Sequence, residues 1–130
     1  RILDLGCGPE GIYPYAPQGA YYVGVDLASL SIANHKGRIA GKKDNSLLVA
    51  DAGELPLAAS SMDIVVTNMF LHGLPNLPRA IKQIYRVLPP GGKWVIADSG
   101  PRQWDVSLML VALEEINRAD KDKYSFAERI

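Results

Sequence analysis

The residues predict an α/β domain, a parallel sheet with helices on both faces. Three observations carry that expectation. Five short apolar runs recur along the chain, at 1–5, 21–26, 46–51, 62–68 and 92–98. Several are rich in Val and Ile and apolar throughout, as strands covered on both faces are. Helical periodicity falls between the runs: Leu77, Ile81, Ile84 and Leu88 recur at spacings of three and four and make one apolar face. Finally, the first run opens straight into a glycine turn, Gly6-Cys7-Gly8-Pro9-Glu10-Gly11. Strands alternating with helices in this way pair in parallel through right-handed crossovers.

Taken in order, the first strand, 1–5, is followed by a connection carrying Pro14 and Pro17, which predicts a short or kinked helix there. The second strand, 21–26, closes on Asp26 and leads into a helix over 29–40. The third strand, 46–51, closes on Asp51, and the fourth, 62–68, on Asn68. The helix over 77–88 is stopped by Pro89-Pro90-Gly91-Gly92, which turns the chain into the fifth strand, 92–98, with Trp94 expected in the core. Beyond it, 105–118 reads as a helix apolar over a wide arc, and 124–130 as the start of another. The core is expected over 1–98, with 99–130 a helical continuation of the same domain. Trp104 falls in the loop after the fifth strand.

Composition narrows the function classes. A chain of 130 residues is one domain with room for a core without disulfide or metal staples. Lys and Arg number 14 against 14 Asp and Glu, which argues against a dedicated nucleic-acid binder. The basic residues Lys36, Arg38, Lys42 and Lys43 read as a solvated surface. The single cysteine, Cys7, forbids an internal disulfide and predicts a reducing, cytoplasmic setting; within the turn it reads as a small space-filler, not a reactive thiol. No apolar stretch approaches membrane-spanning length. His35 and His72 stand apart from each other and from Cys7, so no metal site is expected. His35 is expected at the surface, and Tyr21 and Tyr22 in sheet packing. The opening at a strand without Met predicts an excerpt of a longer protein.

Candidate function begins at the glycine turn. Glycine lets backbone approach a ligand closely, and a carboxylate at the tip of the neighbouring strand, Asp26, is placed to accept from ribose hydroxyls. A nucleoside-containing cofactor follows, and the pattern Gly6-x-Gly8-x-x-Gly11 with Asp26 also suits a nicotinamide dinucleotide. Three further segments separate the two. They are Asp4-Leu5-Gly6-Cys7-Gly8, with an acid two places before the first glycine; Val49-Ala50-Asp51-Ala52-Gly53-Glu54-Leu55-Pro56; and Ser61-Met62-Asp63-Ile64-Val65-Val66-Thr67-Asn68 leading through Leu71-His72 to Arg86-Val87-Leu88-Pro89-Pro90-Gly91-Gly92. Together, over residues 1–98, they resemble the class I S-adenosylmethionine-dependent methyltransferases that act on small molecules.

The resemblance implies a doubly wound, Rossmann-like sheet of strand order 3-2-1-4-5 and methyl transfer to an oxygen, nitrogen or carbon nucleophile. It implies that backbone at Gly6, Cys7 and Gly8 passes under the methionine part of the cofactor, with Asp4 anchoring that end. Asp26 takes the ribose hydroxyls, and Leu27 lies against adenine. Asp51 and the Ala52 N–H meet the adenine edge, and Asn68 lines the methionine side. Met69, Phe70 and His72 border the departing methyl group, and His72 is the candidate general base. The partner expected is a small-molecule acceptor, with neither nucleic acid nor membrane. A second copy could pair through the edge of the fifth strand or through the 105–118 helix. The rival readings are a non-catalytic methyltransferase-like binding module and an NAD(P)-dependent oxidoreductase. Two departures stand out. Glu10 occupies the place of the family's third glycine, where it either crowds the cofactor carboxylate or turns to solvent. The usual sixth and seventh strands have no counterpart, so the chain is expected to be truncated.

Overall fold

The computed structural model describes residues 1–98. Five strands, β1 (Ile2–Leu5), β2 (Tyr22–Asp26), β3 (Asn45–Val49), β4 (Ile64–Asn68) and β5 (Lys93–Ala97), form one parallel sheet in the order β3-β2-β1-β4-β5. This is the expected order. The 105–118 helix, the helix expected to start at 124 and Trp104 lie outside the described residues.

β1 occupies the centre, fully buried and paired on both sides, Asp4 opposite Gly24 of β2 and opposite Val66 of β4. Strand geometry sends alternate residues to opposite faces. Leu3, Leu5, Val23, Val25 and Val65 point to one face. There they pack with Ala80, Ile84, Val87 and Leu88 from α2 (Leu77–Val87) and its end. The other face carries Asp4, Tyr22 and Gly24 and is covered by α1 (Ser29–Arg38), which buries Ile32 and His35. Trp94 is only half-buried: its indole Nε1–H donates to Thr67 Oγ1 at 3.0 Å and its ring meets Tyr85 edge-on.

Capping chemistry sets the boundaries of α2. The Asn76 side chain accepts from Arg79 N at 3.1 Å, Pro78 occupies the first turn, and Pro89 with Gly91 (φ +77°) turns the chain into β5. The connection after β1 holds a single 3-10 turn, Tyr13–Tyr15, around Pro14, which is the shortening the prolines predict. Arg86 accounts for part of the Arg86–Gly92 motif in structural terms. Its guanidinium donates to Leu57 O at 2.7 Å and Leu55 O at 2.8 Å, binding the loop after β3 to α2. Among the described residues β5 is an edge strand, with Val95 and Ile96 exposed, and no helix is long and apolar enough to cross a membrane.

Candidate functional site

Parallel strands deliver all their carboxyl ends to one edge of the sheet. The chain winds outward from β1 through β2 and β3, then returns to β4 on the opposite side. The order reverses between β1 and β4, the topological position at which sheets of this kind form a ligand crevice. The glycine turn at 6–11 and the acids Asp26 and Asp51 follow the carboxyl ends of β1, β2 and β3 on that edge.

The loop after β1 is held by its own backbone. Gly6 N–H and Cys7 N–H both donate to Val25 O, at 2.8 and 3.0 Å, and Gly11 N–H returns to Cys7 O. Gly6, Gly8 and Gly11 all have positive φ (+74°, +58° and +58°), where a side chain is strained. Their surroundings differ. A Cβ on Gly6 would fall inside the Phe70 ring, one on Gly11 would strike His35, and one on Gly8 would meet nothing within 4 Å. Two glycines are thus required by packing, while the third faces open space.

Asp4 is 1% exposed, and its Oδ2 accepts the Tyr22 hydroxyl at 2.6 Å and the Ile12 N–H at 2.8 Å. The Tyr22 ring reaches it by passing over Gly24, which has no side chain to obstruct it. Burial raises the Asp4 pKa, partly offset by those two donors. Burial, reinforced by the Asp4 carboxylate, pushes the Tyr22 phenol up as well, so it stays a donor. Cys7 is buried against Gly24 and its thiol is pushed up to about 12, first by burial and then by Asp4 and Asp26; this is the space-filling role.

At the tip of β2 the Asp26 carboxylate bridges two loops, Oδ2 accepting from Gly8 N and Oδ1 from Ala28 N, each at 2.9 Å. Leu27 beside it is 70% exposed, an apolar surface next to the carboxylate. Beyond β3, Asp51 Oδ1 accepts from Gly53 N at 2.7 Å and Ala52 is buried. Asp51 lies two residues past the end of β3, in a turn rather than in the strand predicted over 46–51. Across the crevice Asn68 ends β4 exposed, and Met69 takes a left-handed conformation (φ +49°), its N–H donating to Ala97 O at 2.7 Å. His72 Nδ1 lies 2.6 Å from Asp98 Oδ1, while Asp98 Oδ2 accepts from Phe70 N at 3.0 Å and Leu71 N at 2.8 Å.

Hydrogen bonds therefore join Asp4, the glycine loop and Asp26 into one unit, and the Phe70 ring bridges it to the loop that carries His72. Glu10 turns outward, three-quarters exposed and 3.2 Å from Arg38, clear of the crevice. His35 corrects the sequence reading: it is fully buried, not at the surface. It sits on α1 at a position that faces the sheet, its ring 5.6 Å from that of Tyr22, with both ring nitrogens unpartnered. Burial lowers its pKa and keeps it neutral. Three further residues acquire roles that the sequence reading did not assign. Tyr22 could have been suspected from the register, since it shares a face with Asp4. Arg86 and Asp98 carried only their positions, one in a motif and one at a strand end.

A groove of about 820 Å³ also exists at the amino ends of β2 and β3, lined by Tyr13, Tyr15, Arg38, Lys42 and Lys43 among others. It includes Gly11 and Gly19 but neither Gly6 nor Gly8, and neither of the carboxylates Asp26 and Asp51, so the carboxyl edge is the better candidate. Among the described residues no group of His, Cys, Asp and Glu could hold a metal.

The donor set fits a nucleoside-containing cation: an accessible glycine backbone, a carboxylate beside an exposed leucine, and a second acid one strand away. Comparison with known proteins agrees. The family model described as "Methyltransferase domain" matches residues 3–96. The chain is 37% identical over 102 residues to a sterol 4-C-methyltransferase of Caenorhabditis elegans, covering 75% of this chain and 30% of that protein. It is 33% identical over 93 residues to a malonyl-[acyl-carrier protein] O-methyltransferase of Enterobacter lignolyticus, covering 71% and 36%. The chain thus spans about a third of the length of these relatives. A solved S-adenosylmethionine-dependent methyltransferase of Aquifex aeolicus, 18% identical, superposes with a TM-score of 0.72 over 88% of this chain and 69% of that one, a likeness of fold. With the family model matching most of its length, and with this sheet order and this glycine loop, the chain belongs to the class I S-adenosylmethionine-dependent methyltransferase family.

Proposed function

We propose that the carboxyl edge of the sheet binds S-adenosylmethionine and directs its methyl group to an oxygen, nitrogen or carbon nucleophile of a small molecule. The observation that carries this reading is Gly8, left-handed and open to space, hydrogen-bonded to the Asp26 carboxylate at the tip of β2. When bound, the cofactor supplies an activated sulfonium methyl for in-line displacement. The protein's task is to bind, align and exclude water. Gly6, Cys7 and Gly8 offer backbone to the methionine part, and Asp4 anchors that end by fixing the loop through Ile12 and Tyr22. Asp26 accepts from the ribose hydroxyls, Leu27 covers one adenine face, and Asp51 with the Ala52 N–H reads the adenine edge. Asn68 lines the methionine side. His72, where the acceptor carries a proton, takes it at Nε2.

Named relatives methylate a sterol carbon and a malonyl-carrier oxygen, which supports a small-molecule acceptor without choosing the atom. A cytoplasmic setting and association of two copies through the exposed edge of β5 belong to the same reading; light scattering of the intact protein tests the latter.

Calorimetric titration of the intact protein with S-adenosylhomocysteine, with NAD as control, tests the cofactor assignment. Binding of the first alone is expected. Asp26→Ala should weaken it by about 1.5–3 kcal/mol, the range for hydrogen bonds to a charged group. His72→Ala should leave that affinity nearly intact and lower turnover by roughly a hundredfold or more on an acceptor that must lose a proton. Unchanged affinity in the first variant, or full turnover in the second, removes the corresponding role.

A further inference from the structure

We propose that Asp98 is the positioning residue of the site, setting at once the loop that borders the transferred methyl group and the tautomer of His72. Its side chain is 1% exposed and lies at the end of β5. One carboxylate oxygen, Oδ2, holds the N–H groups of Phe70 and Leu71, the residues that turn the chain out of β4. The other, Oδ1, faces His72 Nδ1 at 2.6 Å.

An ionised carboxylate only accepts hydrogen bonds. Facing one, His72 Nδ1 donates, which leaves Nε2 as the ring nitrogen able to take a proton from an acceptor. The same carboxylate fixes the Phe70 backbone, and the Phe70 ring covers Gly6 so closely that no Cβ would fit between them. One buried acid thus ties the roof over the glycine loop to the orientation of the imidazole. A carboxylate that holds a histidine in one tautomer contributes orientation without exchanging a proton itself. The inference rests on the proposed cofactor site, and its proton-accepting part also on the reading of His72 as a base; the tautomer of His72 depends on neither.

Asp98→Asn separates the two. The amide oxygen must continue to serve the Phe70 and Leu71 N–H groups, since the alternative flip would point donors at donors. The amide NH₂ then faces His72 Nδ1, which becomes an acceptor, and the ring proton moves to Nε2. In the intact protein, nitrogen-15 NMR of the His72 ring is expected to show protonated Nδ1 in the wild type and protonated Nε2 in Asp98→Asn. S-adenosylhomocysteine affinity should change little. Turnover should fall by about a hundredfold, at the lower end of the range for a displaced acid–base group. A wild-type ring protonated at Nε2, or averaged between tautomers, overturns the proposal even if the variant fails to fold. So does a variant whose tautomer is unchanged. An inverted tautomer with full turnover supports the positioning role and removes His72 from proton transfer, so failure of the base reading is distinguishable from failure of this one.

Discussion

Gly6→Ala is expected to destabilise the domain by about 2–5 kcal/mol and to lower S-adenosylhomocysteine affinity by roughly a hundredfold. Two costs combine. The left-handed conformation (φ +74°) costs a residue with a Cβ about 1–2 kcal/mol. The Cβ would also occupy the Phe70 ring position, 2.1 Å from Cδ2, and overpacking of that kind adds about 1–3 kcal/mol. Phe70 cannot retreat freely, because its backbone is bonded to the buried Asp98 carboxylate. Gly8→Ala is the informative companion. Its φ of +58° carries the same conformational cost, but its Cβ meets nothing within 4 Å. Urea denaturation should register only about 1–2 kcal/mol, whereas affinity should fall sharply because the space above Gly8 is the cofactor position proposed above. Undiminished affinity in Gly8→Ala would move the cofactor away from this loop.

Asp4→Ala is expected to lose about 2–6 kcal/mol of stability, and Asp4→Asn far less. Alanine leaves two buried donors, the Tyr22 hydroxyl and the Ile12 N–H, without an acceptor, each costing about 1–3 kcal/mol. Asparagine keeps an oxygen for both. The two variants also differ with pH. The raised pKa of Asp4 means that its carboxyl favours the folded state below the unfolded value of 3.8. That contribution is lost as pH rises through the folded value. Asparagine does not titrate, so its stability relative to wild type should improve between pH 3.8 and neutrality. Urea melts at both ends of that window measure it, and a difference that stays flat would show that Asp4 is not a strained buried acid.

The fold was legible because its signals are local and repeated. The mainly apolar strands Ile2–Leu5 and Ile64–Asn68 announce a sheet covered on both faces. Asn76 with Pro78 and the Pro89–Gly92 stop bracket one helix without help from any distant residue. Pro14 and Pro17 announced that the first connection would not hold a long helix. Boundaries shifted where the ladder rather than composition decides, as at Asp51, which is apolar-run residue by sequence and turn residue by hydrogen bonding.

The candidate site was legible in its chemistry but not in its wiring. Glycines and acids at strand ends suggest a nucleotide-type ligand, because left-handed turns let backbone approach it and strand-tip carboxylates can accept from ribose hydroxyls. Which partner each acid takes depends on residues far apart in sequence: Asp4 on Tyr22, Gly8 on Asp26, His72 on Asp98. His35 looked like a surface residue because nothing local distinguishes the buried side of a weakly amphipathic helix. Only the packing of α1 against Tyr22 and Gly11 puts it inside. The order of residues along the chain thus determined the strands and their connections, through periodicity and turn residues, while the strand order and the class of cofactor were legible only through the family resemblance that the motifs carry. The tertiary structure alone decided which carboxylates are structural clamps and which face the crevice, because that depends on hydrogen-bond partners that only the parallel pairing of strands brings together.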